Sequence, residues 1–158
     1  QDSVKSNHDG KIGIDFKYRM TNKLSEHKDF EINTSNLKNV RTFAREIFKK
    51  FPELDNQHEE LVLALAEAAQ NIVKHSYDSI PSTDTMRIQI VYEDKLLIME
   101  LFDKGRPVIP ANIKPRKLED IKAGGLGTFF IGQIMDEVIF KTSKTNWINH
   151  LILKKKIN

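Results

Sequence analysis

Glu67, Asn71 and His75 stand four residues apart. In a helix of 3.6 residues per turn that spacing strings them along one ridge. A carboxylate one turn before an amide suits metal and water chemistry: the amide oxygen can ligate a hard cation, and the carboxylate can take a proton from a nucleophile. Taken alone, the ridge also fits a solvated helix face on which Glu67 meets Lys74 or Asn71. A second candidate is Asp103, followed by Gly105. A carboxylate where a strand gives way to a loop can accept a hydrogen bond from a ligand's exocyclic amine, and a glycine two residues on lets the backbone approach that ligand. Asp, Gly and Pro together also make a plain turn. The third candidate is Gly124-Gly125-Leu126-Gly127-Thr128. Glycines just before a helix expose backbone N–H groups at its positive end, which is an anion site; a flexible helix entry is the alternative.

These residues need elements to hold them. Apolar Ile12, Ile14, Phe16, Tyr18 and Met20 alternate with polar or small residues, predicting a half-buried strand. Residues 22–28 read as a polar turn, and Phe30–Ile32 as a short strand. Ser35 or Asn36 is placed to cap a helix carrying Leu37, Val40, Ala44, Ile47 and Phe51 on one stripe, stopped by Pro52. A longer helix from about Asn56 to Tyr77, with Glu59 in a capping box, buries Leu61, Leu65, Ala68, Ala69, Ile72 and Val73 and turns Glu67, Asn71 and His75 the other way. Two strands follow, Met86–Tyr92 and Leu96–Phe102, joined at Glu93-Asp94. A polar stretch then leads to a helix from Gly127 to about Asp136, and strands near Val138–Thr142 and Trp147–Ile157 close the chain. Short turns between strands predict an α+β two-layer sandwich, with a mixed, mostly antiparallel sheet and helices on one face.

Composition removes several functions. There is no cysteine among 158 residues, so disulfide scaffolds, thiol nucleophiles and Cys-ligated metals are excluded. A formal charge of +3 is too small to argue for nucleic acid. No apolar run approaches the ~20 residues of a membrane span, and a cytoplasmic location is expected. The chain starts at Gln1 without an initiator Met and reads as a fragment whose upstream neighbour would be a partner domain. Among phosphate binders, the G-x-x-x-x-G-K-[ST] loop is absent, no buried strand precedes the glycines as a dinucleotide fold requires, and the protein-kinase signatures are missing.

Order and spacing carry a resemblance. Leu65 to Tyr77 resembles the N-box of the Bergerat-fold (GHKL) ATPases. Phe102-Asp103-Lys104-Gly105-Arg106-Pro107 looks like their first glycine box, and Gly124-Gly125-Leu126-Gly127 through Met135-Asp136-Glu137-Val138 like the second. The nearest branch is the anti-sigma-factor serine kinases, and the likeness covers about residues 28–156. It implies ATP and Mg²⁺ as cofactors. It assigns Glu67 as general base and Asn71 as Mg²⁺ ligand. Asp103 would read the adenine amine, Gly105 would lie beneath the base, and Gly125 and Gly127 would touch phosphate. His75, Gly124, Leu126 and Thr128 fall within the same binding motifs. Residues 111–122 would form a short lid ringed by Lys114, Arg116, Lys117 and Lys122. Where the family's last strand usually offers a small hydroxyl residue, this chain has Asn149 and His150, and Gln133 stands where a basic residue is common. The histidine-kinase-like domain is expected over 28–158, with 1–27 an extension bearing an added edge strand or dimer element.

The implied function is an ATP-dependent serine kinase that sequesters a sigma factor and phosphorylates its anti-sigma antagonist. The alternatives are a non-catalytic ATP/ADP-binding regulatory module and an ATPase domain cut from a larger signalling kinase. A homodimer is expected by analogy, with neither a membrane nor direct nucleic-acid partner.

Overall fold

A computed structural model describes residues 23–108 and 126–158, with residues 126–129 described in backbone only. The strand expected over Ile12–Met20, the lid over 111–122 with its basic residues, and Gly124 and Gly125 lie outside the described residues.

The elements are β1 (Leu24–Ile32), α1 (Leu37–Phe48), α2 (His58–Asn71), β2 (Ser82–Glu93), β3 (Leu96–Asp103), α3 (Leu126–Ile134), β4 (Glu137–Thr142) and β5 (Asn149–Lys156). The strands form one sheet in the order β1-β2-β3-β5-β4. All four pairings are antiparallel, so the described strands show no mixed pairing. The α+β class and its helix layer stand as expected.

Period two explains the sheet's single core face. In β3, Leu97, Met99 and Leu101 point into the core and are at most 1% exposed; Asp103 continues the same inward series. Met86, Ile88, Ile90 and Tyr92 do the same on β2. Helix α1 lays Leu37, Val40, Ala44, Ile47 and Phe48 on this face. Helix α2 is more deeply sunk, burying seven of its fourteen residues, mostly Ala and Leu. Small side chains let it lie close to the sheet, which keeps Asn71 near the end of β3. On the outer face, Trp147 packs against Phe102, with the Arg87 and Lys104 cations over its ring, in line with a packing role.

Four local expectations are corrected. Residues 24–28 are not a turn but the first half of β1: only Phe30 and Ile32 are fully buried, Leu24 packs part-buried against the core, and the residues between are polar because the strand is an edge. Asp29 there takes a two-pronged ion pair from Arg87 on β2. Asn36 stands at the N-cap position of α1 but its side chain makes no capping hydrogen bond; Asn33 accepts the Asn36 N–H at 3.1 Å and caps a 3₁₀ turn, Thr34–Asn36, that leads into the helix. A second 3₁₀ turn, Pro52–Gln57, precedes α2, so Glu59 falls in that helix's first turn and is drawn to Arg45 and His58 rather than to a cap. The β2–β3 hairpin turns on Asp94-Lys95, both left-handed at φ 53° and 62°, the arrangement that matches strand twist.

Leu65 and Leu63 test the packing. Leu65 is fully buried whereas Leu63 is 42% exposed. Leu65→Ala is expected to cost about 2–5 kcal/mol in urea denaturation, and Leu63→Ala to stay within about 0.5 kcal/mol of wild type. Equal effects would contradict the placement of α2.

Candidate functional site

The long helix does not run regularly to Tyr77. The α-helix ends at Asn71, and Ile72–Ser76 form a π turn. Such turns gather at functional sites, and the reason here is visible. The Ser76 carbonyl leaves the helix ladder and accepts the Arg106 N–H at 3.1 Å from the loop after β3. Arg106 adds a second tie, its Nε donating to the His75 carbonyl at 3.0 Å, and ion-pairs with Asp78.

This junction leaves no room behind Gly105. A Cβ built there would sit 2.6 Å from the Ser76 carbonyl oxygen and 2.7 Å from the Tyr77 ring, well inside any real contact. Gly105 is required by the close approach of loop to helix, a use the sequence reading, which looked to a ligand or a plain turn, did not anticipate.

Asp103 is 2% exposed. Its Oδ1 accepts the Gly105 N–H at 2.9 Å and the Asn149 Nδ2–H at 2.8 Å, and its Oδ2 accepts the Ser76 hydroxyl at 3.3 Å. Burial pushes the carboxyl pKa up from its ordinary value; the hydrogen bonds from Asn149, Gly105 and Ser76 oppose that shift without cancelling it.

Above this group opens a cleft. Its walls are apolar, from Ile72, Leu101, Val108, Ile131, Val138, Phe140 and Leu151, and its polar groups are Asn71, His75, Ser76, Asp103 and Asn149. A mostly apolar cleft with a few polar groups is the usual form of a small-ligand site. His75 sits at the rim, where partial desolvation, then the Lys74 and Arg106 charges, hold its pKa below the ordinary histidine value.

The sequence-predicted residues divide as follows. Asn71, His75 and Asp103 line the cleft, and Gly105 braces its floor. Glu67 is half-buried, one turn before Asn71 on α2, and is not among the residues lining the cleft. Leu126, Gly127 and Thr128 begin α3, whose Ile131 and Gly132 form part of the wall. Ser76 escaped the sequence reading altogether. Its signal was a hydroxyl continuing the buried ridge of Ala68 and Ile72 at four-residue spacing. Asn149 was noticed only as a departure, and the Asp103–Asn149 pairing of β3 with β5 gives it its place.

The described residues thus form an α+β domain with a helix layer over an antiparallel sheet and a buried carboxylate beside an apolar cleft. Comparison with known proteins is specific: residues 30–155 match the family described as the histidine kinase-like ATPase domain, and the chain belongs to it. A serine-protein kinase RsbW from Halalkalibacterium halodurans is 34% identical over 92 residues, covering 52% of this chain and 54% of that protein. The chain thus spans about half the length of that curated relative. A serine-protein kinase RsbW from Staphylococcus aureus is 29% identical over 114 residues, covering 66% of this chain and 71% of the other. Among solved structures, a chain of the SiaB–SiaC complex from Pseudomonas aeruginosa shares the fold, with a TM-score of 0.59 over 92% of this chain and 96% of that one at 12% identity. Among the described residues, no helix is long and apolar enough to cross a membrane.

The raised Asp103 pKa makes stability depend on pH. Below the unfolded value near 3.8 the carboxyl is neutral in both states. As pH rises through the higher folded value, the folded protein must ionise a buried group, and stability falls. Asp103→Asn removes that group. Denaturant unfolding from acid to neutral pH should show wild type losing stability relative to the variant, and a constant difference would count against a raised pKa for the buried carboxyl.

Proposed function

We propose that this chain is an ATP- and Mg²⁺-dependent protein-serine kinase of the anti-sigma type. The observation that carries the proposal is the placement of Asn71 and the Asp103 group in one apolar cleft, within a domain of the histidine kinase-like ATPase family.

The residues suit the ligand. An adenine ring is flat and apolar on its faces, which fits the aliphatic walls. Its exocyclic amine needs an acceptor, which Asp103 offers from the cleft lining. Asn71 presents a side-chain amide on the helix side of the same cleft, a hard oxygen donor suited to Mg²⁺. When bound, Mg²⁺ would offset charge on the phosphates. The first turn of α3, with Leu126, Gly127 and Thr128, supplies backbone N–H groups at a positive helix end for the phosphate oxygens. Glu67, one turn before Asn71, takes the proton as a serine hydroxyl attacks the terminal phosphorus; the oxygen–phosphorus bond to ADP breaks and ADP leaves. Little covalent chemistry is asked of the protein, so positioning and charge supply most of the rate.

The protein substrate we propose is a small antagonist protein, with a sigma factor as second partner and a homodimer as the assembly. The naming of the relatives as serine-protein kinases supports a protein substrate with a reactive serine; the antagonist, the sigma factor and the homodimer rest on the family resemblance alone. One observation favours a second reading, a nucleotide-binding switch without transfer: Glu67 stands off the cleft lining.

Glu67→Ala separates the two. With ATP, Mg²⁺ and a purified antagonist protein as substrate, phosphoserine formation should fall about 10²–10⁴-fold while ATP affinity is unchanged. Transfer at the wild-type rate in that variant would remove Glu67 from its role. Absence of transfer by wild type under conditions where ATP binds would favour the switch.

A further inference from the structure

The geometry points to Asn149 as a positioning residue that sets base selectivity: it occupies one oxygen of Asp103, ties down the loop after β3, and leaves the other Asp103 oxygen for an amine on the base. The inference rests on the adenine reading above.

Asn149 opens β5 directly opposite Asp103, the last residue of β3, and both are 2% exposed. Its amide is fully used. One Nδ2–H donates to Asp103 Oδ1 at 2.8 Å and the other to the Arg106 carbonyl at 2.9 Å, with the Ser76 hydroxyl oxygen a third, longer contact of Nδ2 at 3.4 Å, while its Oδ1 accepts the Val108 N–H at 3.1 Å. These partners fix the amide's orientation, because a flip would face oxygen to carboxylate and carbonyl, and NH₂ to an N–H. Three of the five residues from 104 to 108 are thereby held: Gly105 through Asp103, and Arg106 and Val108 through Asn149.

The two carboxylate oxygens of Asp103 are left unequal. Oδ1 carries two donors, the Gly105 N–H and the Asn149 amide, which fill its in-plane positions. Among the described residues, Oδ2 carries only the Ser76 hydroxyl, at a long 3.3 Å. A ligand that donates an N–H finds its acceptor at Oδ2, in a cleft that Asp103 and Ser76 both line. A base with a carbonyl in place of the amine would set oxygen against oxygen. A side chain shorter than asparagine cannot reach Asp103 and the loop together. Without that brace, Asp103 can turn either oxygen to the cleft and the loop can shift, so discrimination falls with affinity.

The test compares ATP with inosine triphosphate, which carries a carbonyl where ATP has its amine, by calorimetry with Mg²⁺ on wild type, Asn149→Ala and Asn149→Ser. Unfolding curves run alongside establish that each variant is folded. Wild type should prefer ATP by about tenfold or more. Asn149→Ala should bring the ratio towards one, and Asn149→Ser, with a single hydroxyl for two acceptors, should fall between. A variant that is less stable yet keeps the wild-type ratio would overturn the proposal and leave Asn149 a merely structural residue. Discrimination by wild type with unchanged ratios in both variants would overturn this role and leave the adenine reading intact. Equal affinity of wild type for the two nucleotides would instead overturn the adenine reading, and this proposal with it.

Discussion

A carboxylate buried to 2% exposure is the constraint on which the rest of the molecule depends. An unpaired charge in that position would be strongly destabilising, so its oxygens must be met. Three separate segments meet them: Ser76 from the end of the helix pair's long arm, Gly105 from the loop, and Asn149 from the last strand. Each of those residues is placed by a feature that would otherwise look incidental. The π turn brings Ser76 inward, the missing Cβ of Gly105 lets the loop touch the helix, and the β3–β5 register sets Asn149 opposite Asp103. The cleft is the space left above this knot, and its aliphatic walls lower the local dielectric in which any hydrogen bond to Asp103 is made.

The helix layer and the sheet were legible because their periods are clean. The inward series Leu97, Met99, Leu101 could have been extended by two to show that Asp103 faces the core, where a carboxylate asks for partners. What period could not show is where a helix changes its winding. Ile72 to Ser76 have ordinary helical residue types, and their π turn arises from a tertiary hydrogen bond to a loop thirty residues on. Strand β1 was hidden for the opposite reason. Leu24–Lys28 have few apolar residues, because an edge strand's outer half has little to bury and is held by backbone pairing and by Arg87–Asp29. Local turn chemistry at Asn33 and Asp94-Lys95 shifted boundaries by a residue or a few, without disturbing which face each side chain takes.

The site divides in the same way. Asp103, Gly105 and Asn71 could be picked out by type and spacing, since a carboxylate before a glycine turn and an amide on a helix ridge are both local patterns. Ser76 and Asn149 are partners by tertiary contact, 27 and 46 residues from Asp103, and spacing carries no such information. Glu67 shows the reverse case: the right type on the right ridge, yet standing one turn away from the cleft wall.

A crystal structure of the protein with ADP and Mg²⁺ tests the central claim most directly. The account predicts the base inside the apolar cleft, its exocyclic nitrogen about 2.7–3.2 Å from an Asp103 carboxylate oxygen, with Gly105 against the ring and the Asn71 side chain on the metal side. Nucleotide bound elsewhere, with Asp103, Ser76 and Asn149 bonded only to one another, would contradict it.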